Sequence, residues 1–129
     1  MLLLIVLSCN KKTTPKVVSD SDFSDIKKYL ESGKNDSLNE KDRIKYVDKA
    51  LDLIGKENLN NNYNKYMYDA AVGYYKLRQD KKLNAVITKL LKKAKNENDS
   101  LIVARAYNLI GNQHINLTNN DSAYYYILK

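Results

Sequence analysis

The sequence predicts an all-α chain of about three stacked helical hairpins, and three observations carry that prediction. Apolar residues recur at helical spacing from Asp22 to the end of the chain. One Pro and four Gly among 129 residues are too few turn formers for a sandwich or a barrel. Gly73 and Ala85 stand 12 residues apart, and Gly111 and Ala123 repeat that pair 38 residues further on. Small residues at a fixed spacing are expected where paired helices cross too closely for a larger side chain.

The elements follow in order. Phe23, Ile26 and Leu30 mark a short first helix that Gly33 ends. Ser37-Leu38-Asn39-Glu40 has the form of a capping box, so Ser37 is expected to cap the second helix, whose inner face carries Val47, Ala50, Leu51 and Ile54 and which stops near Gly55. Asn58–Asn62 reads as a loop. A third helix is expected from about Tyr63 to Arg78, its inward stripe obscured by Tyr66, Tyr68, Tyr74 and Tyr75. Asp80 is placed to cap a fourth helix, where Leu83, Val86, Ile87, Leu90, Leu91 and Ala94 give the strongest amphipathic pattern in the chain. After a loop at Asn96–Ser100, a fifth helix runs from about Leu101 to Leu117, and Asp121 opens a sixth.

Around Ala104–Lys129 the residues resemble a tetratricopeptide repeat. Tyr107 stands at the family's Trp position, Ile110-Gly111 at its Leu-Gly pair and His114 at its Tyr, with Ala123 and Ile127 at the small and bulky positions of the second helix. The hairpin before it keeps Val72-Gly73 and Ala85 with Asp69 at the Trp position, and the first hairpin keeps Val47 and Ala50-Leu51. The resemblance covers about Asp22–Lys129 and implies a right-handed α-α superhelix. Its spacing of 38 exceeds the roughly 34 of the standard repeat, and the loop at Asn96–Ser100 is expected to hold the extra residues. The last repeat stops at Lys129 inside its second helix, so the 22–129 repeat domain is expected to be truncated there.

The N-terminus has a different texture. Met1–Leu7 is apolar without interruption, followed by Ser8 and Cys9, and the run Val6-Leu7-Ser8-Cys9 resembles the end of a bacterial lipoprotein signal. That resemblance implies a signal peptide over 1–8, lipidation of Cys9 and a flexible tether over 9–21. No Lys or Arg precedes the apolar run, and a start codon upstream of Met1 would supply the positive segment.

Composition narrows the function classes. The net charge is +7, but lysines come in spread pairs with carboxylates between most of them, so no nucleic acid is expected as a ligand. His114 is the only histidine and Cys9 the only cysteine, which leaves no metal cluster, and no phosphate loop or nucleophile motif is present. No catalytic residue, cofactor or small-molecule substrate is expected. Carboxylate pairs such as Asp20 and Asp22, or Glu97 and Asp99, fall beside helix starts, where capping explains them. Tyr124-Tyr125-Tyr126 points in three directions on a helix and makes no flat stacking platform.

The expected function is a non-catalytic scaffold that binds a protein or peptide at the bacterial cell envelope, held to the membrane through a lipid on Cys9, on its periplasmic or outer face. The family resemblance implies a ligand along the concave face formed by the first helix of each hairpin. It assigns that face to Met67, Ala70, Tyr74, Leu77 and Arg78, then to Arg105, Asn108, Asn112, Ile115 and Asn116. Met67, Tyr74, Arg78, Arg105, Asn108 and Asn112 are the expected peptide-binding residues. The alternative is the N-terminal sensory repeat region of a longer signalling protein, a histidine kinase or a helix-turn-helix regulator.

Overall fold

A computed structural model describes residues 20–56, 59, 62–117 and 125–128. The described residues form five α-helices: α1 (Asp20–Lys34), α2 (Glu40–Lys56), α3 (Tyr63–Lys76), α4 (Asp80–Asn96) and α5 (Ser100–Asn116). A further helical turn covers 125–127. No strand occurs among the described residues, so the chain is all-α there. α1 begins two residues inside the span expected to be tether. The expected signal over 1–8, Cys9, the Asp121 cap and Ala123 lie outside the described residues.

Helix starts depart from the expected caps. Asn39, not Ser37, caps α2: its Oδ1 accepts the Asp42 N–H at 2.8 Å. The Ser37 N–H instead donates to Asn35 Oδ1 at 3.0 Å, closing the turn before the helix. Asp80 is the first residue of α4, and the cap position before it belongs to Gln79. Asp99 caps α5, its Oδ1 accepting from the Ile102 N–H at 3.2 Å.

The two helix ends that follow are built alike. At the end of α3, Arg78 N–H donates to the Tyr75 carbonyl and Gln79 N–H to the Tyr74 carbonyl. At the end of α4, Asn98 N–H donates to the Lys95 carbonyl and Asp99 N–H to the Ala94 carbonyl. Each is a Schellman motif, which requires one left-handed residue. Arg78 (φ 53°) and Asn98 (φ 56°) occupy that place. Asn suits it, whereas Arg adopts it against its own steric preference. The expected long loop at Asn96–Ser100 is therefore a three-residue turn matching the one at Leu77–Gln79. Length beyond a standard repeat resides in the helices, since α2, α4 and α5 have 17 residues each.

The helices repeat every forty residues, not every 38. α2 and α4 are displaced by forty at both ends (Glu40 to Asp80, Lys56 to Asn96), and α3 and α5 at their C-terminal ends (Lys76 to Asn116). Burial follows the same shift: Ile26, Tyr66 and Ala106 are buried, as are Gly33, Gly73 and Gln113, and Val47 with Ile87, Ala50 with Leu90, Ile54 with Ala94. The spacing of 38 came from equating Gly73 with Gly111 and Ala85 with Ala123, and Ala85 is exposed on α4. Gly73 makes its close approach elsewhere: a Cβ added there would lie 3.1 Å from Cγ2 of Val47 on α2.

Packing is between neighbours. α1 packs on α2, and α3 on α4, as hairpins. α1 also touches α3, and α3 touches α5, whereas the backbones of α2 and α4 stand apart and are joined through the Asp48–Lys82 ion pair. The core runs through the stack, and α4 supplies a continuous stripe to it, with Leu83 and Leu90 fully buried and Val86, Ile87 and Ala94 beside them. Burial of each such Leu or Ile contributes roughly 1.5–3 kcal/mol. This arrangement is compatible with a helical repeat.

Polar side chains link the helix ends where apolar packing stops. Arg43 Nε donates to the Gly33 carbonyl at 3.0 Å, satisfying an otherwise unpaired group at the end of α1. Buried Asn64 at the start of α3 donates to Glu97 Oε2 (2.8 Å) and Asp99 Oδ2 (3.1 Å). Lys93 and Asn64 together hold the Glu97 carboxyl below the usual carboxylate range. Buried Gln113 on α5 donates to Asp80 Oδ1 at 2.9 Å.

Candidate functional site

A groove of about 350 Å³ lies between α2 and α4, with α3 as its floor. It exists because second helices of successive hairpins stand apart while α3 fills only the depth between them. Leu51, Met67 and Val86 line it with apolar surface, and Asp48, Lys82 and Tyr74 line one end. Lys82 Nζ lies 2.7 Å from both Asp48 carboxylate oxygens, and Tyr74 Oη donates to Asp48 Oδ1 at 2.5 Å. Lys82 also stands 5.5 Å over the Tyr74 ring. The trio ties α2, α3 and α4 together at one point.

Burial, the hydrogen bond to Asp48 and the charges of Asp48 and Asp52 push the Tyr74 hydroxyl well above the ordinary tyrosine range. Folding therefore retains a proton that the unfolded chain releases near pH 10. The stability this contributes is fully present below that pH and is lost as the pH rises above it. Tyr74→Phe is expected to lower stability by about 0.5–1.5 kcal/mol at neutral pH, through the lost hydrogen bond. It should also flatten the alkaline fall of the stability curve, measured by urea unfolding between pH 8 and 11. A variant curve as steep as the parent's would remove Tyr74 as its cause.

The groove recurs forty residues on. A second one, of about 510 Å³, is lined by Thr88, Leu91, Tyr107, His114, Tyr125 and Tyr126. These occupy the repeat positions of Asp48, Leu51, Met67, Tyr74, Ala85 and Val86, all of which line the first. His114 stacks on Tyr126 with centroids 5.3 Å apart and planes 7° apart, and Tyr107 also stacks with Tyr126 at 6.0 Å. The sole histidine is thus an aromatic packing element, and Tyr126 packs with both rings rather than forming part of a platform.

The expected peptide-binding residues are not gathered on one open face. Met67 (4% exposed) and Tyr74 (2%) are core residues that reach only the floor of the α2/α4 groove. Ala70 and Leu77 are buried with them. Arg78 sits exposed in the turn between α3 and α4. Arg105, Asn108 and Asn112 are brought together on one exposed stripe of α5, where Asn112 Nδ2 donates to Asn108 Oδ1 at 3.4 Å. The two sets were equated by the shift of 38, which is two residues short of forty and so turns α5 by about 200°, more than half a turn, relative to α3. A shift of forty equates Met67 and Tyr74 with Tyr107 and His114 instead.

Asp48, Lys82 and Gly55 belong to the groove and were not expected there. Gly33 and Gly73, forty residues apart, were the signal in the sequence that would have found them. Among the described residues no group of His, Cys, Asp and Glu is arranged to hold a metal ion, and no helix is long and apolar enough to cross a membrane. Comparison with protein-family models, with curated proteins and with solved structures finds no match to this chain.

Proposed function

We propose that the chain is a non-catalytic scaffold of superhelical, tetratricopeptide-like build that binds a protein partner along the face formed by α2 and α4. The observation that carries this reading is the recurrence of a groove at the period of the helices, with six lining positions in common. A surface repeated at a fixed interval suits an elongated ligand, such as a peptide segment laid across successive hairpins. Lipid anchoring through Cys9 at the cell envelope completes the proposal and draws its support from the Val6-Leu7-Ser8-Cys9 sequence alone.

A photo-crosslinking residue placed at Ala85, which is exposed and lines the groove, is expected to give a protein adduct in the native host. The same residue at Lys27, exposed on α1, should give none. Filling the groove with Gly55→Phe should abolish the Ala85 adduct. An adduct that survives the filled groove, or the absence of any adduct at Ala85, would overturn the reading. Incorporation of radiolabelled palmitate that disappears in Cys9→Ala tests the anchor independently.

A further inference from the structure

The α2/α4 groove continues into a second depression and the two make one channel. Tyr63 and Lys89 line both, and the second, of about 330 Å³, extends to Lys92, Lys93, Asn96 and Glu97. The two sections differ in chemistry. The first is apolar on its floor and ends at the Asp48–Lys82–Tyr74 trio. The second is basic: Lys93 pairs with Glu97, while Lys89 and Lys92 are exposed and make no ion pair among the described residues. The exposed face of α4 also carries Lys81 and Lys95, and the only acid of that helix, Asp80, is held by Gln113.

Gly55 stands on the α2 wall of this channel. A Cβ there would meet nothing within 4 Å, and its φ is not in the left-handed region. Neither close packing nor backbone conformation calls for glycine at this place in α2, where it weakens the helix. Its effect is to leave the channel wall low beside Lys89.

We propose that the channel takes an acidic peptide segment with an apolar anchor. The anchor side chain lies over Leu51, Met67 and Val86, and carboxylates beyond it meet Lys89 and Lys92. This deepens the protein-binding reading and rests on it. The channel favours a peptide over nucleic acid because Asp52 lines the apolar section. A uniformly charged phosphate backbone following the channel would pass against that carboxylate, whereas a peptide places its charges selectively.

The test uses fluorescence anisotropy with a fluorescein-labelled peptide of alternating Leu and Glu. Its Leu–Lys and Ser–Glu counterparts and a labelled oligothymidylate serve as competitors in class. The Leu–Glu peptide is expected to bind best and to weaken with added salt. Lys89→Glu with Lys92→Glu should weaken it about tenfold or more. Gly55→Phe should do the same, with Ala85→Trp as a second plug should the first variant misfold, while Gly55→Ala retains binding. Tighter binding of oligothymidylate, equal binding of the Leu–Lys peptide, or indifference to both sets of variants would each overturn the proposal. Failure of the acidic peptide with the Ala85 adduct intact removes only the acidic specificity, whereas loss of the adduct removes the protein-binding reading beneath it.

Discussion

Leu90→Ala is expected to lower the free energy of unfolding by about 2–5 kcal/mol, the range for deleting a fully enclosed leucine. Leu90 has no exposed surface and lies at the centre of the α4 stripe, with Ile87 and Ala94 one turn away on either side. Its repeat counterpart on α2 is Ala50, also fully buried. The same position thus holds two volumes, which means that the hairpin of α1 and α2 is closed more tightly there than that of α3 and α4. The converse change, Ala50→Leu, should destabilise by about 1–3 kcal/mol through overpacking. Urea unfolding followed by helical circular dichroism measures both. A loss below about 1 kcal/mol for Leu90→Ala would mean that the site collapses around the missing side chain.

Gly33→Ala is the second change with a large expected effect, because Val47 blocks the space a methyl would need. A Cβ at Gly33 would lie 2.6 Å from Cγ2 of Val47, closer than two carbons approach. Val47 has 1% of its surface exposed, and the same Cγ2 would stand 3.1 Å from a Cβ at Gly73. A β-branched side chain held between two helices has no free rotamer to yield. Overpacking should cost about 1–3 kcal/mol, offset by at most about 1 kcal/mol of helix propensity gained over glycine. In a Val47→Ala background the same substitution should be close to harmless. A double-mutant cycle measures that coupling; strictly additive effects would rule out Val47 as the obstacle.

These glycines also show what was legible in the sequence and what was not. The helices themselves were, because Leu83, Val86, Ile87 and Leu90 repeat at a spacing that admits one buried face. The period of 38 rests on equating Gly73 with Gly111 through the partner pair Ala85 and Ala123, and a small residue on an exposed helix face, as Ala85 is, looks the same in sequence as one at a crossing. Gly33 and Gly73 both press on Val47, a relation that depends on α1 and α3 flanking α2. The cap of α2 was ambiguous since Ser37 and Asn39 are both good caps, and only the turn made by Asn35 excludes the first. The burial of Met67 and Tyr74 was hidden for another reason. α3 is flanked by all four other helices and is apolar around most of its circumference, so no single stripe marks its inner side.

The electrostatics of the groove were legible only in part. Asp48 and Lys82 are 34 positions apart, and nothing local predicts that they meet. Both are more than a third exposed, so the pair itself adds at most about 1 kcal/mol. Its larger effect is geometric, since it fixes the spacing between α2 and α4 at one end of the groove.

The neighbour-only packing of the helices has a consequence for how the chain folds and fails. Contacts join residues on the same or adjacent hairpins, so little loop-closure entropy opposes their formation, and folding should be rapid for a chain of this size. With the backbones of α2 and α4 apart and the Asp48–Lys82 pair a weak, half-exposed link between them, disruption at one end reaches the other mainly through α3, which touches every other helix. α3 is therefore expected to carry most of the coupling between the two ends of the array.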